Sequence, residues 1–405
     1  MWQEIPPFHT KTIRLEEGDE FAFTVDSQEL PVDWPNLYCV AHLRPTTMAL
    51  RTMETHMHAV CMLHNWAAGR EIDLRQRIES FELFSREELA ALRTELRVNL
   101  NHRARQMEGK NSRGKSVVSA SVWRARCTAI RDYVAFHADN TLGRMSARDS
   151  RIAEARLRLA DFKEAVVGEI RIRKQTTREG LSDTDRELFL KAITPGDPSN
   201  PFRPAHQERN YALWLLYYDA GVRKSEALIV KGKDLDLNGD APMVTVHRRP
   251  DDREDPRKNT PKTKTLARPL PLTPRLARAL NNYITRSRRT FPGVKKSPYV
   301  FFSQQGKPLS GSTVTYMYRQ LREKVPGIPA KFSTHVLRHT WNDRFGDGAE
   351  ELGTPEAMEK HARNQSQGWT RTSEQGDHYQ GRRIRRRART IMLKMQDKST
   401  REVEE

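Results

Sequence analysis

The stretch "STHVLRHTW" at 333–341 sets His335, Arg338 and His339 within five positions. On a helix, His335 and His339 share a face at i and i+4 and offer two imidazoles to a cation. A zinc peptidase needs a glutamate directly after the first histidine, and Val336 stands there. Arg338 would also set a fixed positive charge beside the ion, so no metal is expected. An anion suits the arginine better. At i and i+3, His335 and Arg338 can grip neighbouring phosphate oxygens, the arginine as a planar fork that keeps its charge, the histidine as donor or proton shuttle.

About 110 residues upstream, "DAGVRKSEALIV" places Arg223 at the start of a helix after a Gly-bounded turn, with Glu226 one turn on to hold it or a neighbour. Singly, either arginine reads as a salt-bridge residue. Together they form a two-guanidinium clamp for a phosphate acquiring charge in a transition state. Phosphoryl transfer then needs a nucleophile. Of ten tyrosines, Tyr379 in "GWTRTSEQGDHYQGRR" alone follows the "HVLRH" helix. Its neighbours are polar, whereas Tyr211, Tyr217, Tyr218, Tyr283 and Tyr299 sit in apolar settings that predict core packing. A tyrosine acts as a covalent nucleophile when its proton is taken and its oxygen steered.

These residues must be positioned by a chain that is mostly helical in pattern. "EFAFTV" near the start alternates like a strand, and residues 1–36 form a short section closed by Pro31 and Pro35. From 37 to 173 helical spacing dominates. "TTMALRTMETHMHAVCMLHNWAAG" stops at a glycine, "SREELAALRTELRVNL" opens on a capping box from Ser85, and "SASVWRARCTAIRDYVAFHADN" resumes the helices. Between them "NHRARQMEGKNSRGK" (101–115) reads as a basic surface loop, either lying on phosphates through Arg103, Arg105, Lys110, Arg113 and Lys115 or simply solvated. A linker is expected over 174–180. Beyond it, 181–397 mixes helices with strands at "PMVTVHRR", "TLARPLPL" and "YVFFS", and 398–405 is a polar tail. The helix "TPRLARALNNYITRSRR" has Thr as cap and Pro at its first position. The fold class expected is mainly α with a small antiparallel β-sheet.

Composition narrows the partner. The 405 residues carry 70 Lys+Arg against 52 Asp+Glu, a net charge of +18, with a hydrophobic fraction of 37% that is ample for sizeable cores. Such a cationic excess fits a polyphosphate, because each neutralised phosphate releases counterions. No apolar run approaches the roughly 18–20 residues of a membrane span, and the first twenty residues lack a secretory pattern. Three cysteines (Cys39, Cys61, Cys127) lie far apart, which reads as free, buried thiols in a reducing, cytoplasmic compartment.

Taken together, the motifs resemble the tyrosine recombinases, or phage integrases, over roughly 37–396, with the signature confined to 221–380. "AGVRKSEAL" supplies Arg223 and Glu226, "PKTKTLARPLPL" the hairpin lysine, "HVLRH" His335, Arg338 and the second histidine His339, "QGW" Trp369, and "DHY" Tyr379, in family order. Lys262 fits the hairpin spacing best, with Lys264 the alternative. The segment from Arg338 to Trp369 is longer than the compact family version, so His361 rivals Trp369 for the His/Trp position.

The resemblance implies a helical core-binding domain over 37–173, followed by an α+β catalytic domain. It implies a site-specific recombinase of a bacterial or phage mobile element that integrates or otherwise recombines DNA without metal, cofactor or ATP. Tyr379 would form a 3′-phosphotyrosyl link, Arg223 and Arg338 would stabilise the phosphorane, Lys262 would protonate the leaving oxygen, and His335 would assist at the tyrosine. Trp369 would contact the scissile phosphate. Partners implied are double-stranded DNA in the nucleoid, a tetramer of this chain in synapsis, and accessory bending or directionality factors. The tail "QGRRIRRRARTIMLKMQ" carries an apolar stripe of Ile384, Ala388, Ile391, Met392 and Met395, to be buried on its own core or on a neighbouring copy. Strand relaxation of the type IB topoisomerase kind, or a silent DNA-binding clamp of the same fold, are the competing readings.

Overall fold

A computed structural model describes residues 7–15, 20–46, 48, 50–109, 114–172, 179–249, 252–257, 260–261, 263, 265–376, 381, 384–385, 388–393 and 395. Lys110, Arg113, Lys262, Lys264 and Tyr379 lie outside the described residues, as does most of the expected linker. Two compact units divide the chain, Met1–Lys174 and Gln175–Glu405. Both are mainly helical with small antiparallel sheets. Among the described residues no helix is long and apolar enough to cross a membrane.

The first unit opens on a hairpin of β1 (His9–Arg14) and β2 (Glu20–Val25), in register from His9 opposite Val25 to Arg14 opposite Glu20. There follow α1 (Asp33–Tyr38), which runs into a π-helical turn over Cys39–Leu43, then α2 (Leu50–Ala68), α3 (Leu74–Glu79), α4 (Arg86–Glu95), α5 (Leu100–Met107), α6 (Ala120–Arg144) and α7 (Arg151–Val167). The capping box at Ser85 forms, with Glu88 returning the bond to the Ser85 N–H. Helix α2 buries Met53, Met57, Val60, Leu63 and Trp66 against Ile130, Tyr133 and Val134 of α6. The three cysteines are free and buried, and burial pushes the Cys39 and Cys127 thiols up to about 11.

The 101–115 stretch is not all loop: Leu100–Met107 is helical, capped by the Asn99 side chain accepting the His102 N–H at 3.4 Å. Arg, Ala, Gln and Met favour a helix, and no apolar stripe announces one because this helix buries no residue. Arg103 pairs with Glu95 at 3.0 Å, while Arg105 and Lys115 are exposed.

The same unit holds a histidine–aromatic core. His64 Nε2 lies 2.8 Å from the Tyr133 hydroxyl, and the His137 ring stacks on Trp34 at 4.0 Å. Burial drives both imidazoles down to about 4. The folded unit therefore binds fewer protons than the unfolded chain below the ordinary value of 6.5. Stability should fall as pH drops from about 6.5 towards 4, by roughly 3 kcal/mol per histidine if uncoupled. Calorimetric melting of the first unit between pH 7 and 4 measures this, and His64→Phe should flatten part of the slope.

The second unit contains α8 (Asp183–Ile193), α9 (Pro204–Asp219), α10 (Lys224–Leu228), a sheet of β3 (Leu235–Asp236), β4 (Met243–Val246) and β5 (Arg268–Pro271), then α11 (Pro274–Thr285), α12 (Gly311–Lys324), α13 (Thr334–Glu351) and α14 (Glu356–Gln367). Strand order is β3-β4-β5, antiparallel throughout, with Val244 opposite Leu270. Helix α9 is buried nearly all round and forms the centre of the core with α11 and α13. Thr273 caps α11 by accepting the Leu276 N–H at 3.2 Å, behind Pro274. "YVFFS" is not a strand. Tyr299 and Phe302 make isolated bridges to Lys231 and Pro308, and the run is a buried connection whose apolar side chains fill the core. Among the described tail residues, Ile384, Ile391, Met392 and Met395 are exposed.

Candidate active site

Three helices and one strand converge on a small charged centre. Helix α9 ends at Asp219, and two residues on Gly221 adopts a φ of 62° that requires glycine; a side chain there would meet the Trp341 ring at 2.6 Å. That close approach brings α13 against the α9–α10 turn along one face at i, i+3 and i+6. Arg338 Nη1 donates to the Gly221 carbonyl at 2.7 Å, Trp341 Nε1 to Asp219 at 3.0 Å, and Arg344 Nη1 to Tyr218 at 3.0 Å. Arg338 is only 3% exposed, so its charge is desolvated and fixed. His335, one turn earlier on α13, is exposed, and His339 is half-buried.

Arg223 stands at the N-cap of α10. Three residues on, Glu226 reaches back: its carboxylate accepts the Arg223 N–H at 2.7 Å and Nη1 at 3.2 Å. Arg223 Nη1 also donates to the Gln367 carbonyl at 3.3 Å, at the end of α14. The helix stops there because Gly368 adopts φ of 66°, which turns the chain and delivers Trp369 to the arginines. The Arg338 guanidinium carbon lies 5.3 Å from the Trp369 ring centre and that of Arg223 5.9 Å, so one indole spans both cations. A β-carbon on Gly368 would stand 2.6 Å from Arg268 Nη1 and 2.9 Å from the Leu266 carbonyl.

Behind the pair lies Arg268, a residue the sequence reading did not assign to the site. It is buried on β5, donates Nη2 to Glu226 at 3.0 Å and Nε to the Ser366 carbonyl at 2.7 Å. The signal was its parity: Arg268, Leu270 and Leu272 alternate with exposed positions, so the arginine had to face inward like the leucines. The Thr265 hydroxyl donates to Glu226 at 2.5 Å. Burial opposes the charge on Glu226, but Arg268 and Arg338, with the Arg268 and Thr265 hydrogen bonds, outweigh it and hold its pKa down to about 2. Glu226 is thus an ionised carboxylate, 0% exposed, around which the arginines are arranged.

Arg223, Arg338, Trp369 and Glu226 are therefore brought together. His361 is exposed on α14. Gly376 packs towards Trp369, with a β-carbon there 3.8 Å from the ring. Chemically, two guanidiniums backed by an aromatic face and oriented by one buried carboxylate have the make-up that an anion site requires.

Residues 198–345 match the phage integrase family. Tyrosine recombinase XerC of Bacillus pumilus (strain SAFR-032) is 28% identical over 180 residues, covering 44% of this chain and 51% of that protein. The type 1 fimbriae regulatory protein FimB of Escherichia coli (strain K12) is 28% identical over 163 residues, covering 40% of this chain and 68% of that protein. The chain thus spans about half the length of the XerC relative. Among solved structures, XerH bound to palindromic difH in a post-cleavage complex aligns with a TM-score of 0.40 and 16% identity, over 78% of this chain and 92% of that one. XerA recombinase aligns with a TM-score of 0.36 and 14% identity, over 86% and 92%. The stretch that runs from α9 into α13 and carries Arg223 and Arg338 is thus similar to the phage integrase, or tyrosine recombinase, family, and Trp369 lies beyond the matched residues.

Proposed function

We propose that this chain is a site-specific DNA recombinase that cuts and rejoins strands through a covalent 3′-phosphotyrosyl intermediate. The observation that carries the reading is the convergence of Arg223 and Arg338 on Trp369. Tyr379 follows Gly376 by three residues, a reach of at most about 11 Å along an extended chain. In the proposed step the Tyr379 oxygen bonds to a backbone phosphorus and the bond to the 5′-oxygen breaks. Lys262, or Lys264 in its place, gives that oxygen a proton, and His335 takes the one leaving the tyrosine. Arg223 and Arg338 neutralise the added charge on the phosphorane. Attack by the 5′-hydroxyl of a second strand reverses the step with a new partner and no net loss of phosphodiester bonds.

Exposed Arg105 and Lys115 on the first unit suit a duplex backbone, with Arg103, Lys110 and Arg113 assigned to the same contact. His339 is assigned to the edge of the site. The exposed tail residues Ile384, Ile391, Met392 and Met395 support docking on a second copy within a tetramer. Accessory bending factors belong to the same proposal.

The test uses sheared genomic DNA of the source organism as probe. Wild-type protein should give a DNA adduct that survives detergent, and Tyr379→Phe should give none. Adducts from Tyr379→Phe would overturn the assignment. Relaxation of a supercoiled plasmid in a parallel reaction, without exchanged partners, would favour the topoisomerase reading.

A further inference from the structure

In the connection between β4 and β5, which carries Lys262, the described residues Arg257 and Thr265 on either side of that lysine are bonded into the second unit. Five residues upstream, the buried Arg257 donates to both Asp255 oxygens and reaches the carbonyls of Leu228, at the end of α10, and Leu309 at 3.1 and 2.7 Å. Three residues downstream, Thr265 is 4% exposed and bonds Glu226 at 2.5 Å, while the Leu266 N–H donates to the Gly368 carbonyl at 3.1 Å. Glu226 is also the carboxylate that holds Arg223 and Arg268, so the hydroxyl joins the lysine-bearing segment to the clamp itself.

We propose that Thr265 is a positioning residue: its hydroxyl, locked on Glu226, fixes the segment that sets Lys262 against the leaving oxygen. This rests on the reading of Lys262 as the proton donor given above. Thr265 touches neither phosphate nor leaving group; it acts through the lysine. A misplacement of about 1 Å is enough to cost a general acid roughly a hundredfold.

The experiment compares two nicked duplexes of a site recovered from the genomic adducts, one natural and one with sulfur replacing the 5′-bridging oxygen at the cut. A thiolate departs without a proton because a thiol is far more acidic than an alcohol. Single-turnover cleavage by Thr265→Val should slow by roughly a hundredfold on the oxygen substrate and recover to within a few fold of wild type on the sulfur substrate. Thr265→Ser, which keeps the hydroxyl, should behave as wild type on both. An equal loss on both substrates would overturn the proposal and assign Thr265 to the arginines or to the fold alone. Lys262→Ala and Lys264→Ala run alongside. If neither lysine variant recovers on sulfur, the proton-donor reading fails and the proposal with it. If Lys262→Ala recovers and Thr265→Val does not, the proposal alone fails.

Discussion

Arg338→Lys should lower single-turnover strand cleavage by about 10²–10³-fold while leaving the melting of the second unit nearly unchanged. The reason is in the geometry of the fork. One guanidinium nitrogen is committed to the Gly221 carbonyl at 2.7 Å, and the group lies 5.3 Å from the centre of the Trp369 ring. In the proposed step the planar fork serves that carbonyl and an incoming phosphate at once. A lysine ammonium keeps the positive charge that Glu226 sees, so the fold survives, but it is a single point that cannot satisfy both partners. Cleavage within threefold of wild type would show that Arg338 is only a strut between α13 and the α9–α10 turn.

Glu226→Gln carries the second large effect, on stability as well as activity. The carboxylate is wholly buried and accepts from Arg223, Arg268 and Thr265. Removing its charge leaves buried guanidiniums without a counter-ion, a loss of roughly 3–5 kcal/mol. The pH dependence gives an independent check. Its folded pKa of about 2 lies below the ordinary 4.5, so the stabilisation is fully present above about 4.5 and is lost as pH falls through 2. The wild-type second unit should therefore lose roughly 3 kcal/mol over that window. Glu226→Gln should lack this share of the acid slope, as read by calorimetry with the two units' transitions resolved. An unchanged slope in the variant would remove Glu226 from the electrostatic centre. The first unit's acid response begins higher, from the buried histidines, so the two windows overlap only between about 4.5 and 4.

Much of the architecture was legible because local signals agreed. The Thr-Pro opening of α11 and the capping box of α4 each state a boundary that the folded chain keeps. The arginines were legible as a pair: singly each reads as a salt-bridge residue, and only the two motifs together read as a clamp. Arg268 was missed because a strand arginine looks like a solvated charge until its parity with Leu270 is weighed. Strand β1, "HTKTIR", was missed because its period is set by pairing with β2 rather than by an apolar face. Helix α5 gave no stripe to read, and the buried run at Tyr299–Phe302 fits strand and connection equally well by pattern. The alternation of cation, carboxylate and cation from Arg223 through Glu226 to Arg268 is a tertiary fact, written across 45 residues of chain.

The most direct test of the proposed chemistry is to digest the wild-type protein–DNA adduct with protease and nuclease and locate the nucleotide by mass spectrometry. A nucleotide joined through its 3′-phosphate to Tyr379, on the peptide containing "TSEQGDHYQGR", is the predicted result. A nucleotide on any other residue, or cut strands bearing 5′-phosphates with no protein attached, would contradict it.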